Sequence, residues 1–230
     1  MQPVSTAAPR YDLYLGIHKA LRAYMGDSLA LLGRSDWSDA ADREAALTRV
    51  HELLQICRVH LDDENRFVHP ALEACAPGSA ARIAAEHEHH QRDIEALRLH
   101  AERLAAAPDA ALGLGLYHRL SRFVAENFEH MLYEESEHNA LLWAHYRDDE
   151  LAAIEADIVA AVPAEAMAVL LPWFLSALNH PERVGMLAGL RLGMPSEAFD
   201  DVLAMARTRL SERDWLRLEQ ALVPPLAVAA

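Results

Sequence analysis

The stretches HLDDE (His60 to Glu64) and HMLYE (His130 to Glu134) are the strongest structural signal in the sequence. Each places a histidine four residues before a glutamate. Residues four apart stand on one face of an α-helix, so each stretch projects an imidazole and a carboxylate side by side. Both stretches continue runs of apolar residues with the spacing of a buried helix face. Unpaired imidazoles and carboxylates in such a core would cost several kilocalories per mole, and a shared cation would compensate them.

Turn signals around these stretches divide the first part of the chain into four segments of helical length. We predict helices at about residues 11–32, 40–72, 80–106 and 110–146, with Ser79 capping the third. No segment alternates with the two-residue period of a strand. Long helices with short connections predict an all-α protein built as an up-down-up-down four-helix bundle.

The character of the chain changes after residue 148. Shorter helices are predicted there, with breaks at Pro163, Pro181, Pro195 and Ser211. We therefore predict two domains, a metal-binding bundle at residues 1–148 and a C-terminal helical extension at 149–230. The extension either caps one end of the bundle or provides a surface for a homodimer or another protein partner.

The inner face of every bundle helix carries side chains that can bind a metal. These candidate ligands are His18 in the first helix, His60 and Glu64 in the second, His87 and His90 in the third, and His130 and Glu134 in the fourth. Mixed imidazole and carboxylate ligation suits iron, manganese or zinc better than calcium or magnesium. The two glutamates could bridge two metals.

Two points about these ligands stay open in the sequence. His90 is either a further nitrogen ligand or a hydrogen-bonded neighbour of the site. A ferritin-like site built from Glu-x-x-His is the structural rival, and that string occurs at Glu86 and at Glu135. Both glutamates miss the periodic inner faces, which disfavours the ferritin-like interpretation.

The remaining histidines carry less information. We interpret most of them as surface or ordinary core residues, namely His51, His69, His89, His100, His118 and His145. His138 lies four residues beyond Glu134 and either supports the site from outside or fills the core. Tyr14 lies one turn before His18 and either lines a pocket or fills the core.

The four elements LGIHKAL, HLDDE, EHEHH and HMLYE, in this order, resemble the haemerythrin-like family of HHE cation-binding domains over roughly residues 11–146. The resemblance implies a non-haem di-iron centre, with zinc or manganese as substitutes, carboxylate and oxo-type bridges, and an open position for a small ligand. It also implies the ligand set His18, His60, Glu64, His87, His130 and Glu134. The extension makes the chain similar to bacterial members with a helical tail.

The resemblance is not to the oxygen-carrying members. Those place two histidines four apart on the third helix and an aspartate five residues beyond the last histidine. This chain has His87 and His90, three apart, and Glu134 four beyond His130. It looks more like members tied to iron sensing, oxidative or nitrosative stress, or repair of iron centres.

The function implied is that of a metal-binding protein that binds or senses O2, NO or a related small ligand. The alternatives are an oxidoreductase acting on peroxide, NO or O2, and an iron donor for damaged centres. The sequence contains no nucleophile dyad, phosphate loop or nucleotide motif, which favours a binding protein over an enzyme.

Composition narrows the partners and the compartment. The formal net charge of −14 argues against a nucleic acid partner, because phosphate binding uses clustered lysine and arginine. Cys57 and Cys75 do not make a disulfide framework in 230 residues. Neither a signal peptide nor a membrane-spanning run is evident, so we expect a cytoplasmic protein with no membrane partner.

Overall fold

A computed structural model of the chain describes residues 10–222, and this part of the protein is helical, without a strand. The predicted all-α fold is confirmed. The first six helices are α1 (Leu15–Arg34), α2 (Ala40–Asp63), α3 (His69–Cys75), α4 (Ala81–Ala106), α5 (Ala110–Tyr133) and α6 (Asn139–His145). One π-helical turn (Glu64–Val68) joins α2 to α3, and a second (Glu134–His138) joins α5 to α6.

Four long helical rods form the bundle, as predicted. α1 packs against α2 and α5, and α4 packs against the other sides of α2 and α5, so the rods close a ring in up-down-up-down order. Leu53, Ile94 and Leu120 are among the fully buried side chains in the centre of this ring. Their burial removes apolar surface from water and supplies the main driving force for the fold.

Aspartate side chains determine where three of these helices begin. The Asp39 carboxylate accepts hydrogen bonds from two backbone amides of the first turn of α2, and Asp109 accepts one in the first turn of α5. The first helix was predicted from residue 11 but begins at Leu15. The reason is Asp12, whose carboxylate accepts the backbone amides of Tyr14 and Leu15, both at 3.0 Å.

The predicted cap on the third helix is wrong. The Ser79 hydroxyl donates a hydrogen bond backwards to the Leu72 carbonyl, at 2.9 Å, instead of accepting one from α4. At this turn the Glu73 carboxylate accepts hydrogen bonds from the backbone amides of Gly78 and Ala80. A longer acidic side chain from the preceding helix therefore satisfies the free amides that precede α4.

Between the bundle and residue 222, where the described part of the chain ends, five shorter helices follow, with breaks at the predicted positions. They are α7 (Asp148–Ala161), α8 (Ala164–Ala177), α9 (His180–Gly193), α10 (Ser196–Arg209) and α11 (Glu212–Leu222). Trp173 of α8 stacks on Tyr24 of α1 with ring centroids 4.5 Å apart, and Leu170 is part of the bundle core. The remaining helices α9–α11 bury a separate apolar cluster with one side of α8.

The two predicted domains therefore share packing, because α8 belongs to the bundle core as well as to the second cluster. The division at residue 148 stays a prediction, and residues 1–9 and 223–230 of its two ranges lie outside the described residues. Among the helices that the structure describes, none has the length and apolarity needed to cross a bilayer.

Gly113 provides a test of the bundle packing. A Cβ at this position of α5 would lie 2.4 Å from the Trp37 ring, which is itself buried. We expect Gly113→Ala to lower the free energy of unfolding by about 1–3 kcal/mol, because the ring must move. In contrast, Gly26→Ala meets no atom within 4 Å and should raise it by about 0.5–1 kcal/mol. Urea denaturation measures both, and equal effects would contradict the packing described for α5.

Candidate metal centre

Two glutamates at matching places in the bundle form the centre of the candidate site. Glu64 is the first residue of the first π-helical turn, and Glu134 is the first residue of the second. Such turns occur frequently at functional sites, where the extra residue redirects the side chains that follow. Both carboxylates are buried, with 3% and 0% of their residue surface exposed.

The two oxygens of each carboxylate face different histidines. Glu64 Oε1 lies 3.4 Å from His60 Nε2 and 3.7 Å from His18 Nε2, whereas Oε2 lies 3.3 Å from His87 Nε2. Glu134 Oε2 lies 3.5 Å from His18 Nε2, and Oε1 lies 3.5 Å from His130 Nε2. Ligands about 2.1 Å from one ion lie roughly 3 to 3.5 Å apart, so these separations suit shared coordination.

The donor atoms form two groups that share both glutamates. One consists of His18, His60, Glu64 and Glu134, and the other of Glu64, His87, His130 and Glu134. Within each group the potential ligand atoms all lie within 4.8 Å of one another. The arrangement can hold two metal ions side by side, with the carboxylates as bridges.

The outer nitrogens of three histidines are held by hydrogen bonds that fix the ring tautomer. His18 Nδ1 donates to Glu135 Oε1 at 3.0 Å, His130 Nδ1 to Glu86 Oε2 at 2.9 Å, and His87 Nδ1 to Asn65 Oδ1 at 2.9 Å. Because each proton is on Nδ1, the Nε2 lone pair points into the cluster, as metal-binding histidines require.

These outer contacts give Glu86 and Glu135 a role that the sequence analysis missed. Both were rejected as ferritin-like ligands because they lie off the inner helix faces. Instead, Glu135 directly follows Glu134, and Glu86 directly precedes His87. Each carboxylate accepts a hydrogen bond from the outer ring nitrogen of a histidine on another helix. A glutamate adjacent in sequence to a predicted ligand is the signal that could have identified them.

Several buried atoms of the cluster have no hydrogen-bond partner within residues 10–222. They include both oxygens of Glu64, both oxygens of Glu134, and the Nε2 atoms of His18 and His60. In addition, the Nε2 atoms of His87 and His130 face each other at 3.1 Å, although both carry lone pairs once Nδ1 is protonated. Groups of this kind repel one another unless a cation lies between them, so the donor set fits a pair of metal ions.

Burial favours the uncharged form of these ligands. It lowers the pKa of His60 to about 4 and the pKa of His130 to about 3. Burial, together with the neighbouring Glu64 carboxylate, raises the pKa of Glu134 well above its usual range. His60 and His130 are therefore available as neutral ligands at pH 7, whereas hydrogen bonds to Glu135 and Glu64 raise the pKa of His18 against the effect of its burial. Two adjacent carboxylates need positive charge to ionise together.

Six of the seven predicted ligands come together in the two groups. The seventh, His90, is buried on the same face of α4 but belongs to neither group. Its ring lies edge-on to that of His130 with the centroids 4.8 Å apart. Its Nδ1 has no hydrogen-bond partner among the described residues, so the choice between the two roles considered for His90, further ligand or hydrogen-bonded neighbour, stays a prediction.

His69, His138 and Tyr14 form a second layer beside the cluster. The His69 amide bonds to the Glu64 carbonyl across the π-helical turn, and its ring stacks on His87 with centroids 4.9 Å apart. The Tyr14 hydroxyl and His138 Nδ1 are 3.2 Å apart, and both residues are buried. The interpretation of His69 as an ordinary residue assumed regular helix, in which a residue five beyond Glu64 turns away from its face.

A third group of donor atoms lies outside the bundle core. His89 Nε2 is 3.2 Å from Asp93 Oδ2 and 3.6 Å from Glu126 Oε2, and all three side chains are partly exposed. Arg122 already pairs with Glu126 at 2.8 Å. Since solvated and paired carboxylates need no cation, we assign no metal to this group.

Comparison with known proteins gave one match. A family model described as the hemerythrin HHE cation binding domain matches residues 10–142, which span the bundle from before α1 into α6. The matched range contains all six residues of the two groups and ends before α7. No curated protein and no solved structure matched the chain.

The hydrogen bond that His18 donates to Glu135 provides a test of the site. We expect Glu135→Ala to weaken metal binding by about tenfold to a hundredfold, because His18 loses the partner that fixes its tautomer and orientation. Glu137→Ala, an exposed position in the same π-helical turn, is the matched control. Titration of iron(II) or zinc(II) against a chromophoric chelator measures both, and equal affinities for the two variants would contradict this role.

Proposed function

Because this chain belongs to the hemerythrin HHE cation-binding domain family, we propose that it holds two iron ions and uses them to bind or sense a small ligand such as O2 or NO. The observation that carries the proposal is the sharing of Glu64 and Glu134 by two groups of buried donor atoms. A single ion would leave half of these atoms without a partner.

The protein residues that would hold the ions divide evenly. His18 and His60 would bind one, His87 and His130 the other, and Glu64 and Glu134 would contribute one oxygen to each. Four protein atoms per ion leave coordination positions for a small ligand, as in other non-haem iron sites. The chemistry that such a pair supplies when bound is electron exchange with that ligand. Zinc or manganese would fit the same atoms.

The surroundings of the site favour binding over release. Five of the six proposed ligands are buried, His60 is partly buried, and three of the histidines donate hydrogen bonds to other side chains through their outer ring nitrogens. Iron held in this way exchanges slowly, so delivery of iron to other proteins is the function that this geometry supports least.

An oxidoreductase is the second candidate, and the buried pair of Tyr14 and His138 is the observation that favours it. Reduction of peroxide or NO consumes protons, which a hydroxyl hydrogen-bonded to an imidazole can deliver within a buried site. The pair adjoins the cluster, since the Tyr14 ring lies 5.1 Å from that of His18 between centroids. In a protein that only binds the ligand, Tyr14 and His138 would serve to pack the core and to orient the neighbouring His18 ring.

Ligand titration of the iron(II)-loaded protein distinguishes these functions. We expect about one O2 or NO bound per iron pair, release on lowering the ligand pressure, and no excess consumption of a supplied reductant. Tyr14→Phe should then leave the stoichiometry unchanged, because the ring still fills its place in the core. Optical spectra under anaerobic and ligand-saturated conditions measure the binding.

Repeated turnover in the presence of reductant, lost in Tyr14→Phe, would instead assign the protein as an oxidoreductase. Iron that leaves to a weak chelator within seconds would support iron delivery. A protein that holds iron but changes its spectrum with neither O2 nor NO would contradict the proposed function.

A further inference from the structure

A cavity of about 90 Å³ lies between the bundle and the C-terminal helices, next to the candidate metal centre. Its inner end is formed by Tyr14, His60 and Glu64. At its outer end it reaches Val159 of α7, which is 52% exposed. The cavity therefore lies between an exposed side chain of α7 and two residues of the candidate centre, His60 and Glu64.

The C-terminal helices supply one wall of this cavity. Ile158 and Val159 of α7, Val162 after it, and Met167, Leu170 and Phe174 of α8 all line it. None of these residues falls within the range 10–142 that the family model matches. Helices α7 and α8 therefore cover this side of His60 and Glu64, which the bundle alone would leave open.

The lining selects by polarity. Most of the wall is aliphatic or aromatic, and a cavity with such walls stays largely free of ordered water. The polar groups that do reach it are mainly acidic, since Asp63 and Glu155 join Glu64 in the lining. Among the described residues that line it, none is a lysine or an arginine. An anion would lose its hydration and meet carboxylates, whereas a small neutral molecule would lose little.

From these observations we propose that α7 and α8 form an access chamber which admits small, uncharged molecules of low polarity to the metal centre and excludes anions. The proposal deepens the proposed function and rests on it for what the ligand meets at the inner end. The chamber is smaller than the roughly 150 Å³ apolar cavity that accepts benzene, so its occupants have a few heavy atoms at most. Dioxygen and nitric oxide meet both conditions.

Xenon is the probe for the chamber, because it is apolar, neutral and of suitable size. We expect the metal-free full-length protein to bind xenon between α2 and α8, as seen by xenon NMR or in crystals under xenon pressure. Ile158→Trp and Val162→Phe, which fill the chamber from two positions, should each abolish this site. Ala160→Trp places the same bulk on the exposed side of α7 and should retain it.

The association rate of NO with the iron(II)-loaded protein tests the route. We expect about a tenfold slower association in the two filled variants at unchanged iron content, and the wild-type rate in Ala160→Trp. Azide should associate far more slowly than NO in the wild type, and Glu155→Gln should accelerate azide without changing NO. Circular dichroism and thermal unfolding show whether each variant is folded. If either Ile158→Trp or Val162→Phe fails to fold, the other provides the measurement.

Either of two results would overturn the proposal. One is the absence of xenon from the chamber in the wild type, and the other is an unchanged NO association rate in a folded variant that has lost the xenon site. Azide that associates as fast as NO would overturn the exclusion of anions. The xenon measurement needs no metal. A protein that bound no iron would therefore contradict the proposed function, while xenon binding would still test the chamber.

Discussion

The burial of two carboxylates between four imidazoles is the constraint on which the rest of the structure depends. Glu64 and Glu134 stand in the middle of an apolar bundle, where an uncompensated charge is costly. Their oxygens are divided between two pairs of histidine nitrogens, and the outer sides of three histidines are occupied by Asn65, Glu86 and Glu135. Positive charge inside the cluster would compensate these groups, several of which have no hydrogen-bond partner among the described residues.

Much of the fold and the six residues of the two donor groups could be predicted from the sequence, because helical periodicity makes inner-face polar residues conspicuous. The four-residue spacing of His60 and Glu64 indicates that both lie on one helix face, and proline and glycine indicate the breaks between helices. What periodicity could not reveal is the departure from it. The two π-helical turns leave no local signal, and they bring His69 into contact with His87. Likewise Glu135 acts across the bundle, on a histidine more than a hundred residues away in sequence.

The helices beyond the bundle are more than a structural addition. Leu170 and Trp173 of α8 complete the packing of α1 and α2, while Val162 and its neighbours face the cavity that leads to His60. The apolar residues of α8 thus stabilise the bundle through the core and also line the cavity beside the site. An enclosed, poorly hydrated approach strengthens the electrostatic interactions inside it and restricts which molecules reach the centre.

The most direct test of this account is the number of metal ions per chain, measured by elemental analysis on anaerobically purified protein and three double variants. We expect about two irons in the wild type, about one in either His18→Ala/His60→Ala or His87→Ala/His130→Ala, and almost none in Glu64→Ala/Glu134→Ala. The last variant is decisive because both subsites depend on the same two carboxylates. Two metals retained without the glutamates, or little metal in the wild type, would contradict the shared centre.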